Sequence, residues 1–454
     1  MQDDNAKTTP SSSVTFSNRD LAAMIVPLFF EQFLLMLVGL ADTFFISRAG
    51  EAAVAGVSLV NQFNTIFIYL FTALASGGAV VVSQYVGTRD RKLAGRAASQ
   101  LLMFSVVFSL VVSVLVLVFR RQMLTLMFGR VEADVMAACI TYLTISALSY
   151  PALAVYNAGA ALFRSVGKTN VTMWVSIVSN VVNVVGNYIG VFVLGAGVAG
   201  VAWPSTIARV VSAVIITVLA FREKTVRYRM QDILAWDGPM LKRVLGIAIP
   251  NGAENAIFQL VKVALSSIVA LFGTYQIAAN GVAQSIWSLA ALAGAAFGPV
   301  YVTVIGQCMG ARDTDAAERS FTRMNRIALV FSVVWNALVY LATPTILSFY
   351  VLEPETTALV LRLVLLHNVF NALIFPFSGC LGNGLRATGD VAYTMWVSIG
   401  CTLLVRLTLS YLLGVVFDTG VMGIAWAMCA DWFVRAVFLV ARQRSGAWKE
   451  KRVV

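Results

Sequence analysis

Two acidic side chains stand in an apolar stretch that is long enough to cross a membrane. Residues 25–48 read IVPLFFEQFLLMLVGLADTFFISR and include Glu31 and Asp42. A hydrocarbon core needs about 20 apolar residues, and an acidic side chain at its centre costs about 2.5 to 3.5 kcal/mol. In a helix with about 100° per residue, the two acids lie within roughly 20° of each other and about 16 Å apart along the axis. The spacing therefore predicts a membrane helix with one acidic face, which is suited to sensing a cation.

Asp42 is the stronger candidate for binding a coupling ion. It lies near one end of its segment, where water can reach it, and a carboxylate there can exchange a proton or be held ionised by Na⁺. Asn183, Asn187 and Thr206 add oxygen atoms that suit a hard cation, although such residues also hydrogen-bond between membrane helices without any ion. As a set, the four residues predict a site for H⁺ or Na⁺. Pro27 predicts a hinge in the first helix, because it removes a backbone hydrogen bond.

Six further ionisable residues fall within the apolar segments. They are Arg209 in the first half of the chain and Glu254, Lys262, Arg406, Asp431 and Arg435 in the second. Asp431 and Arg435 are four residues apart on one helical face, which predicts an ion pair. The remaining two cations of the second half are expected to be counter-ions of Glu254 or Asp431. Because Arg209 is then the one embedded cation of the first half, its two acids leave an excess of negative charge that attracts a cation.

The composition indicates an all-α integral membrane protein. Of the 454 residues, 59% are hydrophobic and 12% are charged, whereas soluble domains carry about 25% charged residues. The longest polar interruption covers residues 222–243, which leaves no room for a separate enzyme domain. The start of the chain is polar and acidic, which is unlike a cleavable signal peptide. It is expected to be a tail, with Asn18 or Asp20 as the cap of the first helix.

The positive charge is concentrated on one side of the predicted bundle. When loops are assigned to alternate faces, most of the 33 lysines and arginines fall on the face that holds both termini and the loops with Arg164 and Arg386. By the positive-inside rule this face is cytoplasmic. The net charge of +11 is thereby explained by the orientation of the protein in a membrane. The expected membrane is a plasma membrane, which in a bacterium is the inner membrane. It requires no nucleic-acid partner.

The second half of the sequence repeats the first. The recurring segments are Pro27 with Glu31 and Pro250 with Glu254 (223 residues apart), QYVGTRD at 84–90 and QCMGARD at 307–313 (223 apart), and TMWVSI at 172–177 and 394–399 (222 apart). There are twelve apolar segments, six in each half. Because six is an even number, both halves have the same orientation, and the pseudo-two-fold axis runs along the membrane normal. A central cleft between the halves is the expected place for a substrate.

The repeat gives the predicted domain boundaries. They are an N-terminal cytoplasmic tail at 1–20, a six-helix N-lobe at 21–221, a cytoplasmic connector at 222–243, a six-helix C-lobe at 244–441 and a C-terminal cytoplasmic tail at 442–454.

The chemistry of the two lobes differs at equivalent positions. Asp42 corresponds to Leu265, Asn183 to Arg406 and Asn187 to about Ser410. The first half therefore has acids and amides where the second has an aliphatic residue and a cation.

Several other classes of function lack the residues that they need. The five cysteines are scattered without paired spacing, so neither a disulfide framework nor a resident metal or other cofactor is expected. Gly167, Lys168 and Thr169 look like the end of a phosphate-binding loop, but Leu162 stands where the earlier glycine is needed, so no ATP is expected. A membrane-embedded transferase would need clustered histidines or acids at a loop boundary. An enzyme is therefore not predicted.

The motifs together resemble the MATE family, multidrug and toxic compound extrusion. They are Pro27 and ADT at 41–43 in the first helix, G-x-R-D after the second and eighth, R-x-x-G after the fourth and tenth, Asn183 with Asn187, and Glu254 after Pro250. By this resemblance Asp42 is the first-helix aspartate, Pro27 the bending proline and Glu254 the seventh-helix glutamate. Some members have an aspartate where Asn187 stands. The tenth-helix aspartate of some members is also missing, and Asn371 and Asn383 are the nearest polar groups.

The resemblance implies a secondary active transporter that exports drug-like cationic or amphipathic compounds by antiport with H⁺ or Na⁺. It also implies twelve helices in two lobes, and we expect a monomer whose other partners are membrane lipids. Glu254 and Glu31 are expected to attract substrate or to couple the lobes. The alternative is a lipid-linked saccharide flippase of the same superfamily. That function would be favoured if Arg209, Arg406 and Arg435 all faced the cleft, where they would bind phosphate.

Overall fold

The computed structural model describes residues 15–129, 132–350 and 352–454, and this part of the chain is almost entirely helical with no strand. The predicted tail over 1–20 lies mostly outside the described residues. The cap of the first helix is Ser17, so the prediction of Asn18 or Asp20 is wrong. The Ser17 hydroxyl accepts a hydrogen bond from the Asp20 backbone N–H at 3.1 Å, and the Asp20 carboxylate accepts one from the Ser17 N–H at 2.8 Å. This reciprocal pair satisfies two N–H groups that the helix leaves free.

The helices divide into two sets joined by a polar connector. The N-lobe consists of α1 (Asn18–Ser47), α2 (Glu51–Gly87), α3 (Arg91–Phe128), α4 (Ala133–Leu148), α5 (Tyr150–Ser165), α6 (Thr169–Tyr188) and α7 (Ala199–Arg222). The connector contains α8 (Met230–Leu234). The C-lobe consists of α9 (Gly238–Val269), α10 (Thr274–Ala290), α11 (Leu292–Gly310), α12 (Thr314–Leu347), α13 (Pro354–Leu373), α14 (Leu381–Thr388), α15 (Val391–Gly400), α16 (Thr408–Tyr411) and α17 (Val421–Ser445).

The fold class is twelve helical spans in two six-helix lobes, as the sequence predicts. Among the described residues, ten helices are long and apolar enough to cross a membrane, and α4 with α5 adds one span bent by 43°. The 32-residue helix α9 completes the set of twelve. Three predicted segments are divided. In the segment 358–385, α13 ends at Leu373 and α14 begins at Leu381. α4 and α5 meet at Ser149, just before Pro151, and α10 and α11 meet at Ala291.

Four short π-helical segments interrupt the α-helical pattern. Within the described residues they are Ile189–Val193, Pro376–Cys380, Cys401–Leu407 and Leu412–Val416. One directly follows α6, and two lie in the equivalent span of the C-lobe. π-helical turns change the direction of side chains and are often found at functional sites. Three of the four segments therefore lie in two equivalent spans, where the helices depart from regular α-helical geometry.

The two lobes share a core at one end of the bundle only. We call this end the basic face, because it carries the segments 88–92, 164–168, 222–229 and 311–326, which together hold most of the arginines and lysines of this end. One continuous apolar core joins both lobes there, from Leu21 to Trp448. In the other half each lobe has a core of its own, over residues 45–202 and 261–425. The structure is therefore closed at the basic face, and the lobes separate towards the opposite face.

Two glutamines from equivalent positions of the repeat join the lobes at the closed end. Gln84 in α2 donates to the backbone carbonyl of Ala387 at 2.7 Å. Gln307 in α11 donates to the backbone carbonyl of Ser165 at 2.8 Å. Beside them, a Cβ added to Gly310 would overlap the carbonyl oxygen of Gln84. The closed contact therefore depends on backbone approaching backbone without a side chain between.

Gly310→Ala is expected to disfavour the closed basic face by about 1 to 3 kcal/mol, because overpacking a close contact costs that much. Distances between spin labels on Lys92 and Arg319, which are exposed and lie in different lobes, measure the change. The distribution should shift to longer distances in the variant. Gly246→Ala is the matched control, since nothing lies within 4 Å of a Cβ added there. An unchanged distribution in Gly310→Ala would contradict this account of the closed contact.

Candidate functional site

A central cavity of about 440 Å³ lies between the two lobes. Its N-lobe wall comes from α2 and α5, and its C-lobe wall from α9, α11 and the segment that leads into α14. The polar side chains in its lining are Tyr69, Thr72, Ser76, Asn157, Arg164, Asn251, Asn255, Thr303, Asn383 and Arg386. Phe375 and several alanines and glycines complete the lining. The volume falls within the range of about 300 to 1,000 Å³ that is usual for small-molecule sites.

Each arginine of the central cavity is neutralised by a glutamate from the same lobe. Arg164 contacts Glu31 at 2.6 Å, and Arg386 contacts Glu254 at 2.7 Å. The two pairs occupy equivalent positions of the repeat. Glu31 is almost fully buried and accepts a further hydrogen bond from Thr172 at 2.7 Å. The central cavity therefore has cationic groups in its wall without an excess of charge.

The predicted partners of the embedded acids are in part wrong. The sequence pattern assigns Arg164 and Arg386 to loops, whereas they lie in the last turns of α5 and α14. Because helical side chains lean towards the helix N-terminus, both guanidinium groups reach back into the lobes. Glu31 is thus paired within the N-lobe, and the predicted excess of two acids over Arg209 does not exist.

In the C-lobe one predicted ion pair is confirmed and one is wrong. Asp431 contacts Arg435 at 2.8 Å, as their spacing predicts. Glu254 is held by Arg386, so Lys262 and Arg406 are not its counter-ions. Neither of these two cations has an ion pair among the residues that the structure describes. The repeat contained a signal for the missed pairs. Glu31 and Arg164 both recur in the second half, as Glu254 and Arg386, and two residues that recur together are candidates for contact.

Asp42 lies in a cluster of neutral polar groups. Its carboxylate accepts a hydrogen bond from Asn187 Nδ2 at 2.5 Å, and the same nitrogen donates to Asn183 Oδ1 at 3.1 Å. Asn183 in turn donates to Ser205 at 2.9 Å. Within the described part of the chain, Asp42 has no ion pair, and the buried Oδ1 of Asn187 has no hydrogen-bond partner. The cluster therefore combines one unneutralised carboxylate with one free amide oxygen.

The structure brings three of the four predicted ion-site residues into this cluster. Asp42, Asn183 and Asn187 are joined by hydrogen bonds. The hydroxyl of Thr206 instead donates to the backbone carbonyl of Ile145 at 3.2 Å. Ser205, next to it in the chain, is the residue of α7 that reaches Asn183. One helical position separates the two hydroxyls, and the pattern of apolar segments does not resolve which of them faces α6.

Pro27 lies inside α1, which the structure describes as one α-helix from Asn18 to Ser47. Proline has no N–H, so the carbonyl four residues earlier, that of Ala23, has no intrahelical donor. Thr169 compensates by donating to the Ala23 carbonyl at 3.3 Å and to the Met24 carbonyl at 3.0 Å. Side-chain hydroxyls commonly satisfy such freed groups in membrane helices. A hydrogen bond from the Thr169 side chain thus takes the place of the helical hydrogen bond that Pro27 removes. Such a bond can break and form again, as a hinge requires.

Comparisons with known proteins decide the family. A family model described as MatE matches residues 27–189 and again residues 250–412. The two matches begin and end 223 residues apart, which is the distance of the sequence repeat. The chain belongs to the MATE family. The members of this family are multidrug efflux transporters, and the chain is accordingly a multi-pass membrane transporter.

Relatives and solved structures agree with this assignment to the MATE family. "Uncharacterized transporter YisQ" of Bacillus subtilis is 27% identical and covers 96% of both chains. "Probable multidrug resistance protein NorM" of Thermotoga maritima is 22% identical and covers 98% of this chain and 96% of its own. The structure described as "Crystal structure of MATE in the bent conformation" matches with a TM-score of 0.87 at 20% identity. It covers 95% of this chain and 96% of that chain, and it supports the twelve-helix fold.

Glu31→Gln is expected to destabilise this MATE-family protein by about 1 to 3 kcal/mol, because it leaves the charge of Arg164, whose side chain is 24% exposed, without its partner. Thermal unfolding of the purified protein in detergent measures the loss. The double variant Glu31→Gln, Arg164→Gln should recover most of it, since no uncompensated charge remains.

Glu318→Gln is the control, because it removes an equally short ion pair, to Lys449, at an exposed position. It should leave the unfolding temperature unchanged. Equal losses in Glu31→Gln and Glu318→Gln would contradict the importance of burial.

Proposed function

We propose that this protein is a secondary active transporter that exports cationic or amphipathic organic compounds in exchange for H⁺ or Na⁺ bound at Asp42. The observation that carries the proposal is the environment of that carboxylate. It is half-buried, it has no ion pair among the described residues, and it is hydrogen-bonded by the neutral amide of Asn187, while the charge of Arg209 acts on it from beyond ion-pair distance. A carboxylate in such a place can change its charge by gaining or losing an ion, whereas the paired Glu31 and Glu254 cannot do so without breaking an ion pair.

The cluster offers suitable groups to either ion. A proton requires one basic oxygen, which Asp42 supplies. Na⁺ requires several oxygens, and the Oδ1 of Asn187 is buried and without a partner. Binding of either ion removes the cost of an unpaired charge in the membrane. The bound ion travels as co-substrate, and its release on the other side restores the charge.

α1 is the element through which the ion at Asp42 acts on the transport cycle. Near Pro27, Phe29 packs against Trp335 and Phe331 of the C-lobe at ring distances of 4.8 and 5.4 Å. The same helix therefore carries the acid, the hinge and a contact with the other lobe. A change in charge at one end of α1 alters the position of a helix that both lobes hold. Movement at Pro27 costs little, because Thr169 rather than a helical N–H bonds the freed carbonyl.

The closed basic face is proposed to be cytoplasmic, following the positive-inside rule. The central cavity then opens to the outside, and the structure represents the state that releases substrate and accepts the coupling ion. Both termini lie at the cytoplasmic side in this orientation. The membrane is proposed to be a plasma membrane, and the protein is proposed to act as a monomer without an ATP site or enzymatic activity.

The central cavity supports amphipathic substrates better than phosphate-bearing lipids. Its two arginines are neutralised, and Tyr69 and Phe375 offer ring surface beside asparagine amides. The flippase alternative needs Arg209, Arg406 and Arg435 together at the cleft, and none of them lines this cavity. We propose that Glu31 and Glu254 act on substrate through the arginines that they hold.

Asp42→Asn is expected to lower ion-driven efflux of a cationic dye at least tenfold, because an amide cannot change its charge. Dye efflux is measured in proteoliposomes with imposed proton and sodium gradients, and equilibrium dye binding should remain. Glu51→Gln is the control, since Glu51 is an exposed acid near the same end of the N-lobe. Normal efflux by Asp42→Asn would remove the proposed mechanism.

Asn187→Asp is expected to strengthen the response to Na⁺. It would place a second carboxylate beside Asp42, and a second anionic oxygen ligand should lower the Na⁺ concentration for half-maximal dye efflux about tenfold. The measurement is the Na⁺ dependence of efflux at one fixed pH. An unchanged Na⁺ dependence would show that this cluster does not bind the sodium ion.

A further inference from the structure

We infer that the C-lobe contains a binding pocket for a small aromatic carboxylate. The pocket has a volume of about 240 Å³ and lies between α9, α10, α13, α17 and the π-helical segment Cys401–Leu407. It is separate from the central cavity, with which it shares no lining residue. Its charged or titratable lining residues are Lys262, His367 and Arg406, and no acid lines it.

The cations of this C-lobe pocket lack protein counter-ions. Within the described residues, no carboxylate lies at ion-pair distance from Lys262 or Arg406. The nearby Asp431 is held by Arg435 at 2.8 Å. Lys262 and Arg406 instead lie over the same ring, that of Phe258, at 6.0 and 5.4 Å from its centroid. Two like charges on one ring attract an anion more strongly than either would alone.

Several buried donors have no partner within the described chain. Arg406 is only 7% exposed and His367 only 1%. Arg406 Nε, both ring nitrogens of His367 and the indole nitrogen of Trp287 are buried without hydrogen bonds. Unpaired buried polar groups are rare, because each costs about 1 to 3 kcal/mol. Since these three side chains line one pocket, a ligand with acceptor oxygens would satisfy the N–H donors of Arg406, Trp287 and one His367 ring nitrogen.

The shape of the C-lobe pocket selects the kind of anion. Lys262 is exposed at its rim, while Arg406 and His367 are buried, so the positive charge extends inwards from an open end. Leu265, Met428 and the ring of Trp287 supply apolar walls. A cavity of about 150 Å³ is enough to hold benzene. The pocket therefore fits one aromatic ring with a carboxylate, and it is smaller than a site for a large drug.

The sequence repeat gives this pocket a clear relation to the ion site. Leu265 and Arg406, the counterparts of Asp42 and Asn183, both line it. Ser410, the counterpart of Asn187, has a buried hydroxyl without a partner in the described residues. The two lobes thus place charges of opposite sign in corresponding regions, although not at the same position of the repeat. The N-lobe position suits a cation, and the C-lobe position suits an anion.

As a substrate site, the C-lobe pocket rests on the proposed export function and extends it to organic anions. Binding itself can be tested without any gradient. Equilibrium binding of radiolabelled benzoate is measured to the purified full-length protein in chloride-free sulfate buffer. Benzylamine and benzyl alcohol serve as probes of the same shape with a positive charge and with none.

We expect saturable binding of benzoate and no competition by benzylamine or benzyl alcohol. Lys262→Gln and Arg406→Gln should each weaken benzoate binding at least tenfold, and Arg406→Lys should restore part of it. Arg362→Gln is the control, because Arg362 is an exposed arginine of the same lobe. Unchanged unfolding temperatures establish that the variants are folded, and the rim residue Lys262 provides a variant that does not disturb the interior.

Three results would overturn the assignment. They are the absence of saturable benzoate binding, equal binding by the wild type and the Lys262→Gln, Arg406→Gln double variant, and displacement of benzoate by chloride at lower concentrations than by unlabelled benzoate. The last would identify an inorganic anion site instead. Failure of Asp42-dependent efflux with benzoate binding intact would refute the proposed transport mechanism and leave the pocket in place.

Discussion

The cost of an unpaired charge in hydrocarbon determines how this structure is organised. Most of its embedded charges are neutralised by a partner in the same lobe, as in the Glu31–Arg164, Glu254–Arg386 and Asp431–Arg435 pairs. An ion pair of this kind is stable, but neither of its members can easily change its charge. Four embedded charges have no ion pair among the described residues: Asp42 and Arg209 in one lobe, and Lys262 and Arg406 in the other. Arg209 donates to the Ser149 hydroxyl, and the other three are those that an ion or a substrate can still neutralise. Function is assigned to them for that reason.

Duplication supplied two copies of one scaffold, and substitution then gave the copies different chemistry. The glutamate–arginine pairs and the joining glutamines Gln84 and Gln307 are retained in both lobes, which is consistent with a structural use. The positions equivalent to Asp42 and Asn183 carry an aliphatic residue and a cation in the C-lobe. A transporter built in this way can hold a coupling cation in one lobe and an anionic compound in the other without the two competing for one site.

Much of this could be predicted from the sequence. Apolar segments, charge asymmetry and a repeat of constant length are strong signals, and they led to the twelve spans and the two lobes. The partners of Glu31 and Glu254 were missed, because a pattern of apolar residues assigns an arginine near a helix end to a loop. Only the structure shows that its side chain points back into the lobe. The choice between Ser205 and Thr206 depends on helix rotation, which spacing alone does not fix.

The contact between the lobes, where Gly87 lies against Gln307 and Gly310 against Gln84, has an electrical consequence. Since no side chain intervenes there, backbone lies against backbone, and not even a β-carbon fits between the two chains. A membrane potential of 100 mV is worth about 2.3 kcal/mol for each elementary charge, so a continuous file of water through a membrane transporter would let ions dissipate that potential. The close backbone contact at these glycines therefore opposes the leakage of ions through the closed end, as well as the passage of larger molecules.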